Sequence, residues 1–213
     1  MTASSSPALA AAAQPPSTTL PPCHWRDQLG TTIQPEQALA LLELGDKFCT
    51  LRISEGLGGH TTPVVHTMQP GLDLLAQRTF KKSMPTEAQL EQAIMLVEDA
   101  IMPLARLIPL HTVLATRHPL LIDVARQAMG PQALQQPDHP IPGLTRDAVE
   151  QLFDRLAQQA ARPHLPLPDV PQSPRWAAAL LLLREMLHHW QIPGIRLLLP
   201  TPTAAATPPA SPG

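Results

Sequence analysis

The apolar positions fall into short blocks separated by prolines, and most blocks carry helical spacing. Pro35 at a first helical position, Glu36 in the first turn and then Ala38, Leu39, Leu41, Leu42 and Leu44 predict a helix that Gly45 ends. Beyond it Cys49, Leu51 and Ile53 alternate with Thr50 and Arg52, which is the period of a strand. Gly56, Gly58 and Gly59 then make a turn and 63–68 returns as a second strand, so that 47–68 forms either a small hairpin or an irregular loop.

Further on the signals are stronger. Thr86 and Gln89 form a capping box ahead of Leu90, Ile94, Val97 and Ile101, which predicts a helix ended or kinked at Pro103. Residues 104–118 are apolar on most sides and predict a deeply buried segment, with Pro109 inside it. A helix over 119–129 stops at Gly130-Pro131. Thr145 caps another, whose core face is Val149, Leu152, Phe153, Leu156 and Ala160, with Leu144 stapled onto Val149. Ser173-Pro174 starts a last helix bearing Trp176, Leu180, Leu183, Leu187 and Trp190, its stripe widened by Leu181 and Leu182, and 195–199 packs afterwards as a strand or extended arm. No internal repeat is present. The predicted fold class is mainly α: a single irregular helical domain over 23–199 with a small β-hairpin. It is flanked by disordered tails, 1–22 and 200–213, whose Pro, Ala, Ser and Thr content cannot offset the entropy of ordering.

Composition narrows the partners. The 213 residues suit one domain, the charged fraction is 15% and the net charge is -2, so there is no basic surplus to neutralise nucleic acid or an anionic membrane. Aromatics at 3%, with no Tyr, remove the stacking platforms of single-strand binders, and nucleic acid is disfavoured as a partner. The lack of Asn and Tyr and the use of only three lysines (Lys47, Lys81 and Lys82), beside abundant Ala, Pro, Leu and Arg, is the mark of a GC-rich, bacterial genome. Cys23 and Cys49 form neither a disulfide framework nor a metal-binding pair, which suits a reducing, cytoplasmic compartment. The longest apolar runs fall short of the ~20 residues of a membrane span. The first 22 residues lack the charged and apolar regions of a signal peptide; their uncharged Ser/Thr/Pro character suits a plain tail or the leader of a specialised secretion substrate.

Candidate chemistry rests on histidines. Gly56-Leu57-Gly58-Gly59 lacks the helix or lysine that a phosphate loop needs and reads as a tight turn. His60 and His66, an even number apart, would share one face of a strand, with His24, Glu55 and Cys49 as further ligands of a metal or acid/base site; loop histidines on the surface are the plainer alternative. His111 and His118, seven apart, share a helix face if the chain between them is helical, with Glu98 and Asp99 on the preceding helix. Helical-bundle metal sites use such clusters, although their Glu-x-x-His pairs are absent from this stretch. His188 and His189 suit the negative end of a helix dipole. Lys81, Lys82 and Arg78 read as a solvated turn, and no nucleophile elbow occurs.

The leading functional expectation is a non-enzymatic helical accessory or adaptor protein that offers its 176–190 stripe to a protein partner or a second copy of itself. The alternative is a small metal- or acid/base-dependent enzyme using His60, His66, Glu98, Asp99, His111 and His118. A third, resting on the leader alone, is a substrate or component of a specialised secretion system. No motif names a cofactor.

Overall fold

Residues 39–44, Leu-Ala-Leu-Leu-Glu-Leu, are a nearly continuous apolar run, which suits a buried helix segment and a central strand equally. In the computed structural model they are strand β1 (Leu39–Leu44). The structure describes residues 29, 33–34, 36–54, 62–130, 132, 143–164, 167 and 170–199. Ala40, Leu41 and Leu42 are fully buried, so apolar matter covers both faces of β1. Its two edges are hydrogen-bonded as well. On one side β2 (Cys49–Ser54) runs antiparallel, with Leu42 opposite Leu51; on the other β4 (Val113–Thr116) runs parallel, with Leu42 opposite Thr116. Strand β3 (Val64–Met68) pairs antiparallel with β2, β6 (Gly194–Leu197) runs parallel to β4, and β5 (Gly143–Thr145) closes the far edge antiparallel to β6. The result is a mixed six-stranded sheet in the order β3-β2-β1-β4-β6-β5.

The expectation of a mainly α domain is thereby corrected. Ala, Leu and Glu favour helices locally, and the hydrogen-bonding demands of a strand buried on both faces override that preference. The 49–53 alternation and the return over 63–68 do form strands, as part of the sheet and not as an isolated hairpin.

Among the described residues four α-helices of three turns or more accompany the sheet. Helix α1 (Glu87–Ile101) starts with the expected capping box: Thr86 Oγ1 accepts from the Gln89 amide at 3.4 Å, and Gln89 Oε1 accepts from the Thr86 amide at 3.0 Å. Helix α2 (Pro119–Met129) follows β4, and α3 (Arg146–Ala161) is capped by Thr145, whose Oγ1 accepts from the Ala148 amide at 3.2 Å. Helix α4 (Pro174–His189) starts at Ser173 and packs against α1, α2, α3 and the π-helical segment Leu74–Thr79. Every residue of α4 from 176 to 183 is buried, as are 185–187. A helix covered on all sides is apolar on all sides, which is why its stripe is so wide. The adaptor reading requires that stripe to face outward; instead it is the centre of the core, together with Ala40, Leu42, Leu44, Leu51, Leu114 and Ile195 from the sheet. A smaller cluster of Leu39, Leu41, Ala115 and Leu198 with Leu29 and Ile33 lies on the opposite face.

The expected buried block at 104–118 also divides. Leu107 and Leu110 are exposed at 53% and 88%, and Pro109 with the left-handed turn at His111 (φ 61°) leads the chain into β4. Among the described residues no helix is long and apolar enough to cross a membrane. The tails 1–22 and 200–213 and the glycine turn at 56–59 lie outside the described residues.

A backbone clamp fixes the carboxyl end of β1. After β3 the chain folds onto the β1–β2 turn, where the amides of Gly71, Leu72 and Asp73 donate to the carbonyls of Lys47 (3.0 Å), Gly45 (2.9 Å) and Asp46 (2.9 Å). A Cβ on Gly71 would stand 2.5 Å from the Gly45 oxygen and from the Lys47 carbonyl carbon, so only glycine permits this approach. Gly71→Ala is expected to cost about 1–3 kcal/mol through forced backbone shifts. Urea denaturation measures it, and an unchanged midpoint would contradict the clamp.

Candidate functional site

Strands β1, β4 and β6 are mutually parallel, and the order of connection reverses at β1: β2 and β3 extend to one side, β4 and β6 to the other. In open sheets that contain parallel strands, ligands bind in the crevice outside the carboxyl ends at such a reversal. Here that end collects the turn after β1, the start of α2 after β4, the segment after β3 and the start of α4.

Charged side chains gather at and beside this end. Glu43, the one polar residue of β1, accepts from Arg52 Nε at 3.3 Å through Oε2 and from Arg117 Nη2 at 3.1 Å through Oε1. Arg175, in the first turn of α4, donates to Asp46 Oδ1 at 2.8 Å and also to Asp73, which joins the helix to the clamped turn. Thr116, fully buried, donates to the Leu42 carbonyl at 2.9 Å and accepts from the His118 amide at 3.0 Å, which fixes the chain as it leaves β4.

His118 stands between these groups as the residue preceding α2. Burial lowers its pKa from the ordinary range, the Arg175 charge lowers it further, and the Leu44 backbone, Glu43 and Asp46 act in the opposite sense. Its Nδ1 is buried without a hydrogen-bond partner. This end of the sheet thus holds a neutral imidazole beside Arg117 and Arg175, whose charges are matched by Glu43, Asp46 and Asp73, and the positive end of α2; a multi-oxygen anion would compete with those carboxylates for the guanidinium groups.

The candidate residues chosen from sequence do not form one cluster. His118 is in the crevice. His111 is exposed at the other end of β4; the chain between them is a strand, which alone spans about 13 Å, and not a helix that would align them. His66 lies on β3 opposite Leu51, on the sheet face that carries Cys49. Burial pushes the Cys49 thiol up to about 12, and its Sγ donates to the Pro70 carbonyl at 3.5 Å, so it is neither nucleophile nor ligand as it stands. Glu98, on α1, meets His189 and not His111 or His118, while Asp99 is exposed. His60, His24, Glu55 and Cys23 lie outside the described residues. Glu43, Arg117 and Arg175 do not stand out in the sequence. Their only local signal is a charged residue inside, directly after or directly before an apolar run, which is uninformative until the strands are paired.

A cleft of about 740 Å³ opens at the opposite end of the sheet, lined by His111, Val113, Leu144, His189, Ile195 and Arg196 among others. It faces the amino ends of β4 and β6, away from the reversal, so the charged carboxyl end is the better functional candidate.

No protein-family model matches the chain, and no curated protein matches its sequence. Solved structures match its fold. An Aquifex aeolicus member of the Ppx/GppA protein family superposes with a TM-score of 0.56 at 14% identity, covering 76% of this chain and 52% of its own. A second structure, of the Aquifex aeolicus Ppx/GppA phosphatase, gives 0.58 at 13%, covering 80% and 56%. An exopolyphosphatase from Cytophaga hutchinsonii gives 0.54 at 11%, covering 83% and 58%. The described sheet and helices therefore have the α/β fold found in Ppx/GppA phosphatase structures, and the chain spans little more than half the length of those proteins. This likeness, with the burial of the α4 stripe, replaces the helical-accessory expectation.

The His118 shift has a consequence for stability. Because its folded pKa is lowered, the unfolded chain takes up this proton first as the pH falls below about 6.5, and folding stability declines from there toward the folded value. His118→Gln removes this contribution. The gap in urea midpoint between the native chain and the variant is expected to change as the pH is taken from about 7.5 to 5.5, in the direction of relative loss for the native chain. A gap independent of pH would contradict a buried neutral imidazole.

Proposed function

We propose that the chain is part of an enzyme that hydrolyses phosphoanhydride bonds, and that the crevice at the carboxyl ends of β1 and β4 binds the phosphate groups of its substrate. The observation that carries this is His118 at the carboxyl end of β4, flanked by Arg117 and within the field of Arg175, at the point where the strand order reverses. The likeness in fold to Ppx/GppA phosphatases and an exopolyphosphatase supports the reaction class, and the residues supply the recognition chemistry.

In such a hydrolysis water attacks the terminal phosphorus and gives up a proton, the bond from that phosphorus to the bridging oxygen breaks, the remaining phosphate chain leaves with that electron pair, and the terminal group is released as orthophosphate. Little covalent work falls to the protein; positioning and charge stabilisation dominate. Arg117 and Arg175, both partly exposed, reach phosphate oxygens in this reading, while Glu43 holds Arg52 and Arg117 in register. His118, kept neutral by burial and by Arg175, stands beside them without adding charge. A cytoplasmic setting belongs to the same proposal and is supported by the absence of any disulfide framework in a chain with two cysteines.

Calorimetric titration of the full chain with tripolyphosphate tests the reading. The native chain is expected to bind, and Arg117→Gln to weaken binding at least tenfold, about 1.4 kcal/mol, with Arg117→Lys between the two. Absence of binding by the native chain, or equal binding by Arg117→Gln, would overturn it.

A further inference from the structure

We propose that Glu98, Glu185 and His189 form a site for one divalent transition-metal ion of the zinc class, which clasps α1 to α4. Glu185 is fully buried. Its Oε1 accepts from Arg184 Nη1 at 2.6 Å, but its Oε2 has no hydrogen-bond partner. That orphan oxygen lies 3.4 Å from His189 Nε2, which is in turn 3.0 Å from Glu98 Oε1. All three atoms lie within 4.8 Å of one another.

His189 Nε2 carries at most one hydrogen, and that hydrogen serves Glu98 at 3.0 Å, leaving a buried acceptor-only oxygen with nothing to accept from. A cation bound by all three atoms satisfies them together. Around an ion with ligand distances of ~2.0–2.2 Å, donors at tetrahedral positions stand about 3.3–3.6 Å apart, which is close to the spacing found here. Binding exchanges the proton on Nε2 for the metal, so that proton moves to Nδ1 or to solvent.

The surroundings match. Glu185 and His189 are four residues apart on α4 and so share a face, while Glu98 comes from the last turns of α1. Arg184, which also bonds Glu150 Oε2 at 2.9 Å, orients the Glu185 carboxylate from behind, as outer groups orient metal ligands. Glu98, Glu150 and Glu185 against Arg184 leave a surplus of two negative charges, the charge of one divalent ion. His189 also lines the 740 Å³ cleft, which provides a path of entry. One imidazole with two carboxylates favours zinc over magnesium, which takes oxygen ligands and keeps its waters. Arg175 and His189 stand at opposite ends of α4, about 21 Å apart along its axis, so this site is separate from the charged crevice.

The test uses the full, untagged chain dialysed against chelator, then titrated with zinc chloride by calorimetry and followed by thermal unfolding. One zinc per chain and a concentration-dependent rise in Tm are expected, with no comparable rise in magnesium chloride. Glu98→Gln and His189→Gln, at partly exposed positions that keep the fold by circular dichroism, are each expected to weaken zinc binding at least tenfold, and His188→Gln to leave it unchanged. Failure to bind stoichiometric zinc, an equal response to magnesium, variants that bind like the native chain, or a loss in His188→Gln equal to that in His189→Gln would each overturn the assignment.

Discussion

Strand β1 is buried on both faces and hydrogen-bonded along both edges, and the architecture follows from meeting those two demands at once. Its antiparallel partner β2 is reached by a short turn. Its parallel partner β4 is not, because a parallel return needs a crossover, and the crossover supplies α1. The next parallel strand, β6, needs a second crossover, and α2, α3 and α4 fill it. Neighbours spread from β1 in opposite directions along the sheet, and the charges of the proposed site stand at its carboxyl end.

Helix α4 links the two ends of the molecule. Its middle is buried apolar surface, and its termini carry the polar chemistry: Arg175 ties the first turn to the clamped loop through Asp46 and Asp73, and Glu185 with His189 occupies the last turn opposite Glu98. A carboxylate as buried as Glu185 is costly unless its oxygens are all engaged. The fold accepts that cost at the end of α4, beside Arg184, which suits a site with a bound cation better than a structural ion pair alone.

Local chemistry is legible in the sequence and long-range pairing is not. The Thr86 box, the Thr145 and Ser173 caps and the helix after Pro119 stand where the residues indicate, because a cap is decided within four positions. The alternation at 49–53 identifies a strand for the same reason. Strand β1 reads as a helix because Leu-Ala-Leu-Leu-Glu-Leu fits one until both edges are known, and β4 is hidden in an apolar stretch whose flanks, Leu107 and Leu110, are exposed. The crevice cannot be assembled from spacing: Arg117 meets Glu43 across 74 positions and Arg175 meets Asp46 across 129. Glu98 does face a histidine, but the histidine is His189, which the helix-dipole argument explains too readily. Glu185 and His188 even form the Glu-x-x-His spacing absent from 98–118, yet it is His189, one residue on, that turns toward both carboxylates.

The central claim is that the carboxyl end of β1 and β4 is a phosphate site. Amide chemical-shift mapping of the 15N-labelled chain with tripolyphosphate tests it most directly. The account predicts saturable shifts concentrated at 44–48, 71–73 and 116–122, with residues lining the distant cleft unmoved. Shifts confined to the cleft, or scattered over exposed lysines without saturation, would contradict it.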